Sequence, residues 1–360
     1  MKILFGHLCR PGFGKGGAEQ VVLNLATRMR DEYHHDVGCL INECSFKEEL
    51  EQSGIPIYKI PWAKPKLPET LRAFKSVIRS FRPDLIHSHH RYLTFLADIF
   101  FKRDLKILHT EHVLRQDKRL LFRYGHYANG VHESVTRNLE EFYKVPKNRL
   151  ETIPNAVFLP SIRENELKVI QEKYADFPRI RALCIGRLDT QKGHSYLVEA
   201  IAGLPESLKE KFCVFFAGDG PLEEMLREKV SQYQLEKHII FLGFTRQISS
   251  WLRFCDFLIL PSLWEGMPLS ILEAYAAHKC VLATDIPGSR DMILENETGL
   301  LAPSKNSGAL RKGLVRLLQD EQKILEMGES AFRHYEKKYS FQEMLKRYQM
   351  LYEEVIRLKP

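Results

Sequence analysis

The sequence predicts an α/β protein of two Rossmann-like domains, each a doubly wound parallel sheet, facing each other across a cleft. Three observations point there. Short apolar runs alternate with helical patterns along the whole 360 residues, the rhythm that strand–helix–strand units produce. That rhythm restarts after a charged, poorly apolar stretch at 154–179 that begins Pro154-Asn155. The chain also exceeds the length at which a single hydrophobic core stops growing.

The first series of apolar runs predicts strands at 2–8, 36–42, 84–88, 106–110, 130–133 and 150–153. Near-continuous apolar character, as in Ile3-Leu4-Phe5, suits parallel strands buried on both faces. Helical spacing predicts helices over 17–30 and 69–81 between them. The second series places strands at 181–185, 212–217, 238–242, 256–261 and 280–284, with helices at 193–202, 221–234 and 268–277. Pro268 suits a first helical turn, where its missing N–H is no loss. The domains are read as 1–158 and 159–340. A last helical pattern over 341–360 is expected to pack back across the first domain. In open α/β sheets ligands sit beyond the carboxyl ends of the strands, which directs attention to the loops there.

Composition narrows the function classes. The hydrophobic share of 44% and charged share of 28% are those of an ordinary globular protein. No apolar run approaches the ~20 residues of a membrane span. The start, Met1 to Leu8, is too short and lacks the cleavage site of a signal peptide, so a cytoplasmic location is expected. Seven scattered cysteines, none in a C-x-x-C pair, make neither a disulfide framework nor a zinc cage and read as small buried hydrophobes. The net charge of +7 is uneven: Trp62 to Arg123 carries fourteen Lys/Arg against six Asp/Glu. Leu71, Phe74, Ile78 and Phe81 form an apolar stripe there, beside a basic stripe of Arg72, Lys75, Arg79 and Arg82. Packing of the apolar stripe on the domain's own sheet is expected. The basic face is left for lipid phosphates at an anionic membrane or for an acidic acceptor. No motif for nucleic-acid recognition accompanies the charge.

Several constellations carry chemistry. Glu265 and Glu273 stand eight positions apart around Gly266-Met267-Pro268-Leu269, one in the loop before a helix and one inside it. Helix N-termini bind anions, and a carboxylate on each side suits a ligand with hydroxyls flanking a phosphate. Arg187 and Lys192, five apart on a loop after a strand, can grip a diphosphate, one as a planar fork and one as a point charge. After the first strand, Gly12-Phe13-Gly14-Lys15-Gly16-Gly17-Ala18-Glu19 opens a helix and lets backbone approach a phosphate. Formally it also spells G-x-G-x-x-G, which keeps a dinucleotide-dependent oxidoreductase as an alternative, although Glu43 is the only candidate for the acidic residue closing a second strand. Histidines gather at two strand ends, His87, His89 and His90, then His109 and His112. Neither H-E-x-x-H nor a Cys/His knuckle is present, so no metal is expected. His87 and His89 read as structural, and His112 as the one to meet a substrate.

Taken together, these residues resemble the retaining glycosyltransferases of family 4, which have the GT-B fold. The resemblance runs through Gly16-Gly17-Ala18-Glu19, Pro83 to His89, Thr110-Glu111-His112, Ile153-Pro154-Asn155, Gly186-Arg187-Leu188 with Lys192-Gly193, and Gly218-Asp219-Gly220-Pro221. It continues through Pro261-Ser262, Glu265 to Ala274, Gly288 and Thr298-Gly299-Leu300. Glu265 and Glu273 match the family's E-x7-E signature. Asn129, Ala156, Phe158, the His278-Lys279 pair and Asp291 depart from the usual pattern.

The resemblance implies transfer of a sugar from a nucleoside diphosphate donor, with uridine the commonest base, to a hydroxyl acceptor. Retention at the anomeric carbon follows, with neither cofactor nor metal. Glu273 is implied to hold the ribose, and Glu265 the donor sugar with the N–H groups of Gly266, Met267 and Leu269. Arg187, Lys192 and the Gly16-Gly17 backbone are implied at the diphosphate, and His112 near the sugar and acceptor. A glycan or lipid-linked acceptor in cell-envelope or polysaccharide biosynthesis, with peripheral membrane contact, fits the basic first domain. A sugar-nucleotide epimerase and a non-catalytic nucleotide-sugar-binding protein remain alternatives.

Overall fold

The computed structural model describes residues 1–8, 17–42, 47–61, 67–157 and 163–358. The chain forms two compact units, Met1–Ala156 with Phe341–Pro360, and Val157–Ser340.

The first unit runs β1 (Lys2–His7), α1 (Gly17–Asp31), β2 (Asp36–Ile41), α2 (Lys47–Gln52), β3 (Ile57–Lys59), α3 (Leu67–Phe81), β4 (Leu85–Ser88), α4 (Arg91–Phe101), β5 (Lys106–Glu111), β6 (Tyr127–Gly130), α5 (Glu133–Glu141) and β7 (Leu150–Thr152). Its strands line up in the order β3-β2-β1-β4-β5-β6-β7, and the described pairings are parallel. Two apolar layers sandwich this sheet. One joins α1 and the C-terminal helix Phe341–Arg357 to Ile3, Phe5, Leu85 and Leu108. The other joins α3 and α4 to Leu4, Ile86 and Ile107. Alternate residues of one strand therefore face opposite layers, as the pleat requires.

The second unit runs α6 (Glu164–Lys173), β8 (Ile180–Ile185), α7 (His194–Ala202), α8 (Glu206–Lys209), β9 (Phe212–Ala217), α9 (Glu223–Gln232), β10 (Ile239–Gly243), α10 (Ile248–Phe254), β11 (Phe257–Leu260), α11 (Leu269–Ala276), β12 (Cys280–Asp285), α12 (Pro287–Arg290), β13 (Gly299–Pro303), α13 (Ser307–Gln319) and α14 (Glu321–Lys338). Its parallel sheet has the order β10-β9-β8-β11-β12-β13. In each unit the strand order reverses once, between β1 and β4 and between β8 and β11. A crevice opens at such a reversal because the helices on its two sides cover opposite faces.

Several elements differ from the sequence expectation. The strand expected at 130–133 lies at Tyr127–Gly130, where Leu108 pairs with Tyr127. Asn129 and Gly130 weakened its apolar signal, and Val131-His132 belong to the entry of α5, which His132 caps by accepting from Ser134 N. The short edge strands β3 and β13 carried too little pattern to be read. The stretch 154–179 is not a spacer throughout. It contains α6, with Leu167 and Ile170 buried, followed by Tyr174, whose ring packs edge-on against Phe215 at 5.0 Å. Near the other end of the chain, α13 and α14 fill the interval before the C-terminal helix.

In α3, Phe74 and Val77 are buried against the sheet while Leu71, Ile78 and Phe81 pack beside them. The apolar stripe is spent inside the unit. Cys39, Cys184, Cys213, Cys255 and Cys280 are free and buried, while Cys9 and Cys44 lie outside the described residues. No described helix is long and apolar enough to cross a membrane.

Candidate active site

In the second unit the loops after β8 and β11, the two strands at the order reversal, meet. The loop after β8 carries Arg187 and then a 3-10 turn over Thr190–Lys192. Asp189 caps this turn by accepting from Lys192 N at 3.2 Å and lies 3.8 Å from the Arg187 guanidinium. Gly193 follows in the left-handed region (φ 66°), where a side chain is strained. A Cβ there would also overlap the Pro261 carbonyl. Only glycine lets the two loops lie this close, and Leu263 N donates to Gln191 O at 2.7 Å across the seam.

That closeness sets the charges. Lys192 Nζ donates to Glu265 Oε1 at 2.5 Å. The same carboxylate oxygen accepts from Ser262 Oγ at 2.8 Å, and Gln191 Nε2 reaches the other at 3.4 Å. The loop is backed by α12, where a Cβ on Gly288 would overlap the Gly266 carbonyl. Helix α11 then begins at Leu269 with Pro268 at its N-cap, one place before the first-turn position expected for the proline. Its first amides have no acceptor within the helix. Glu273 sits just over a turn inside. Burial pushes its carboxyl up to about 7, with the Lys192 charge opposing. An acid held at that value is poised for a partner that donates hydrogen bonds to it.

In the first unit, the strand ends carry the histidines. His87 is fully buried between Tyr352 Oη on Nδ1 (2.8 Å) and Thr110 Oγ1 on Nε2 (2.7 Å). Asn129, one of the departures from the family pattern, donates to Tyr348 Oη at 2.9 Å and accepts from Ile153 N at 2.7 Å. It thereby fastens β6 to the C-terminal helix. His89 Nδ1 lies 2.8 Å from His112 Nε2, so one ring donates and the other accepts. Burial, reinforced by the other histidines, keeps His89 and His112 neutral, with His112 lowered to about 4. His90 caps α4 by accepting from Tyr92 N.

Beside them Glu111 receives Arg91 Nε at 2.5 Å. Burial disfavours its charge, but His109 and Arg91 outweigh that and hold the carboxyl down to about 2. Of these histidines, His90 and His112 keep partial exposure whereas His87, His89 and His109 are buried. The described residues hold no group of three or more His, Cys, Asp or Glu able to bind a metal.

Arg187, Lys192, Glu265, Gly266, Met267, Leu269 and Glu273 thus fall together in the second unit. His112 and Gly17, which opens α1, belong to the first, and Gly16 lies outside the described residues. Sequence reasoning did not find the supports of Glu265, namely Ser262 and Gln191, nor the Asp189 cap. Polar residues in a loop carry no pattern until the fold shows what they touch.

Two family patterns match the chain. Glycosyltransferase Family 4 covers residues 15–159, and Glycosyl transferases group 1 covers 168–334. The chain is 27% identical to an uncharacterized glycosyltransferase of Methanocaldococcus jannaschii over 99% of both chains. It is 26% identical to the N-acetylgalactosamine-N,N'-diacetylbacillosaminyl-diphospho-undecaprenol 4-alpha-N-acetylgalactosaminyltransferase of Campylobacter jejuni, over 86% of this chain and 88% of that one. Among solved structures, Anabaena HepE in complex with UDP superposes with a TM-score of 0.83 at 19% identity, covering 98% of this chain and all of that one.

Proposed function

The chain belongs to glycosyltransferase family 4 and has the GT-B fold, and we propose that it transfers a sugar from a uridine diphosphate donor to a lipid-linked glycan with retention of anomeric configuration. The observation that carries the donor half is the Lys192–Glu265 pair at the β8/β11 reversal, with Glu273 behind it inside α11. UDP is favoured because the structurally similar HepE was solved with it. A lipid diphosphate acceptor is favoured by the Campylobacter relative, whose name places its acceptor on undecaprenol.

In this reading Arg187 and Lys192 neutralise the diphosphate as its bond to the anomeric carbon lengthens. Charge builds on the leaving phosphate, and fixed cations and helix-end amides stabilise it there without reorganising. Glu265 binds hydroxyls of the transferred sugar, and the ionised Glu273 accepts from the ribose. His112, held neutral, offers a hydrogen bond beside the sugar and acceptor. The departing phosphate takes the acceptor proton on the same face, which preserves configuration without a carboxylate nucleophile. Two protein cations do the work a divalent metal does elsewhere, and the enzyme acts at the inner face of the membrane.

A melting-temperature screen over nucleoside diphosphate sugars identifies the donor. With that donor, Arg187→Ala lowers turnover about 10²–10³-fold, and EDTA leaves the wild-type rate intact. Full activity of the Arg187 variant, or strict need for added Mg²⁺ or Mn²⁺, overturns the mechanism.

A further inference from the structure

The loop from β5 to β6 begins at His112 and displays an apolar tip. Leu120 is 89% exposed and Leu121 59% exposed, in a 3-10 turn over Arg119–Leu121 that follows Lys118. Large aliphatic side chains so fully in water are costly unless something covers them. The base of the loop is pinned. Asn138 Nδ2 donates to Arg115 O at 2.7 Å, Tyr143 Oη donates to Asp117 O at 2.9 Å, and Arg91 meets the Asp117 carboxylate at 3.0 Å. Phe122 lies tilted against Tyr143, their ring centroids 4.2 Å apart. The leucines are therefore presented by a fixed base.

The patch extends beyond the loop. Asp98 near the end of α4 holds Lys102 Nζ at 2.7 Å and Arg123 Nε at 3.7 Å, which ties the far side of the loop to that helix end. There Ile99 and Phe100 are each 48% exposed. Between Val113 and Arg123 stand Arg115, Lys118, Arg119 and Arg123, against Asp117 alone, and Asp117 is engaged by Arg91. Leucines ringed by cations match the boundary of a bilayer with anionic headgroups, where apolar side chains enter the acyl edge and Lys/Arg stay among phosphates.

We propose that the 113–123 loop, with the end of α4, docks on the surface of an anionic phospholipid bilayer and brings His112 to a membrane-borne acceptor. This deepens, and rests on, the lipid-linked acceptor reading above. The sequence left the basic face of α3 for lipid phosphates; this surface lies instead on a segment that sequence periodicity did not mark.

The test is sedimentation of the full chain with vesicles of phosphatidylcholine and phosphatidylglycerol, beside vesicles of phosphatidylcholine alone. Wild type partitions to the mixed vesicles and only weakly to the neutral ones. Leu120→Ser with Leu121→Ser lowers that partition at least about tenfold, since both apolar side chains that would enter the acyl edge become polar. Lys118→Glu with Arg119→Glu lowers it at least about fivefold per charge removed. Both variants keep the wild-type melting temperature and its rise with UDP. Wild type that stays in the supernatant, or variants that sediment as wild type does, overturns the proposal. So does a wild-type dimer that the leucine variant dissolves, because the patch is then covered by a second copy. Vesicle binding without any UDP shift sinks the donor reading alone and leaves the docking surface standing.

Discussion

Lys192 Nζ and Glu265 Oε1 are 2.5 Å apart, although they belong to loops separated by more than seventy residues and have side chains only 21% and 9% exposed. Each is the other's counter-charge before any donor arrives. A diphosphate and a sugar hydroxyl then bring to this pair a new anion and a new donor.

Lys192→Ala leaves the largely buried Glu265 carboxylate without its cation, so both stability and turnover suffer. Turnover falls about 10²–10³-fold. In a cycle with Glu265→Gln, the two substitutions are less than additive in urea-melt stability by about 0.5–3 kcal/mol. Additive losses show that the pair is not coupled.

Glu273 gives the site a pH dependence of known sign. Its carboxyl stands at about 7 in the folded protein, against an ordinary 4.5. The proton is thus held more tightly when folded. The stability this contributes is complete below about pH 4.5 and is lost as pH rises through 7. Relative to wild type, Glu273→Gln gains stability between pH 5 and pH 8, by at most about 3 kcal/mol. Since the ionised form accepts the ribose hydroxyls, UDP binds wild type about tenfold more tightly at pH 8 than at pH 6, beyond any change shared with the variant. Calorimetry on both proteins measures the difference, and parallel pH profiles count against the ribose role.

Tyr352 and His87 test the attachment of the C-terminal helix to the first sheet. Tyr352→Phe strips one partner from a fully buried imidazole and costs about 1–3 kcal/mol. Adding His87→Phe removes the orphaned nitrogen and recovers part of that loss. Chemical denaturation reads both steps.

Gly193→Ala places a Cβ in a left-handed position against Pro261. Backbone strain alone costs roughly 1–2 kcal/mol, and the seam between the β8 and β11 loops must also open. A lowered melting temperature together with weaker UDP binding is expected. An unchanged melting temperature shows that the seam yields freely.

Much of the fold was legible because parallel strands buried on both faces read as apolar runs. Ile3-Leu4-Phe5, Phe212 to Ala217 and Phe257 to Leu260 needed no neighbours to be recognised. Edge strands such as Ile57–Lys59 carry a weaker pattern because one side lacks a partner, and Tyr127–Gly130 owes its strand to pairing with β5. In the site, Glu265 and Glu273 were visible as a spacing, and Arg187 and Lys192 as cations after a strand. Ser262, Gln191 and Asp189 were not, since their roles are contacts with residues distant in sequence or hydrogen bonds in a loop.

The sequence by itself determined the alternation of elements, the family and the chemical types available at the strand ends. Periodicity and residue type are local properties, so they survive without the fold. Only the tertiary structure decided that Lys192 neutralises Glu265 and that burial lifts Glu273 to about 7. It also decided that Leu120 and Leu121 stand in water. Those outcomes depend on which surfaces meet and how much water remains between them, and no stretch of sequence carries that information alone.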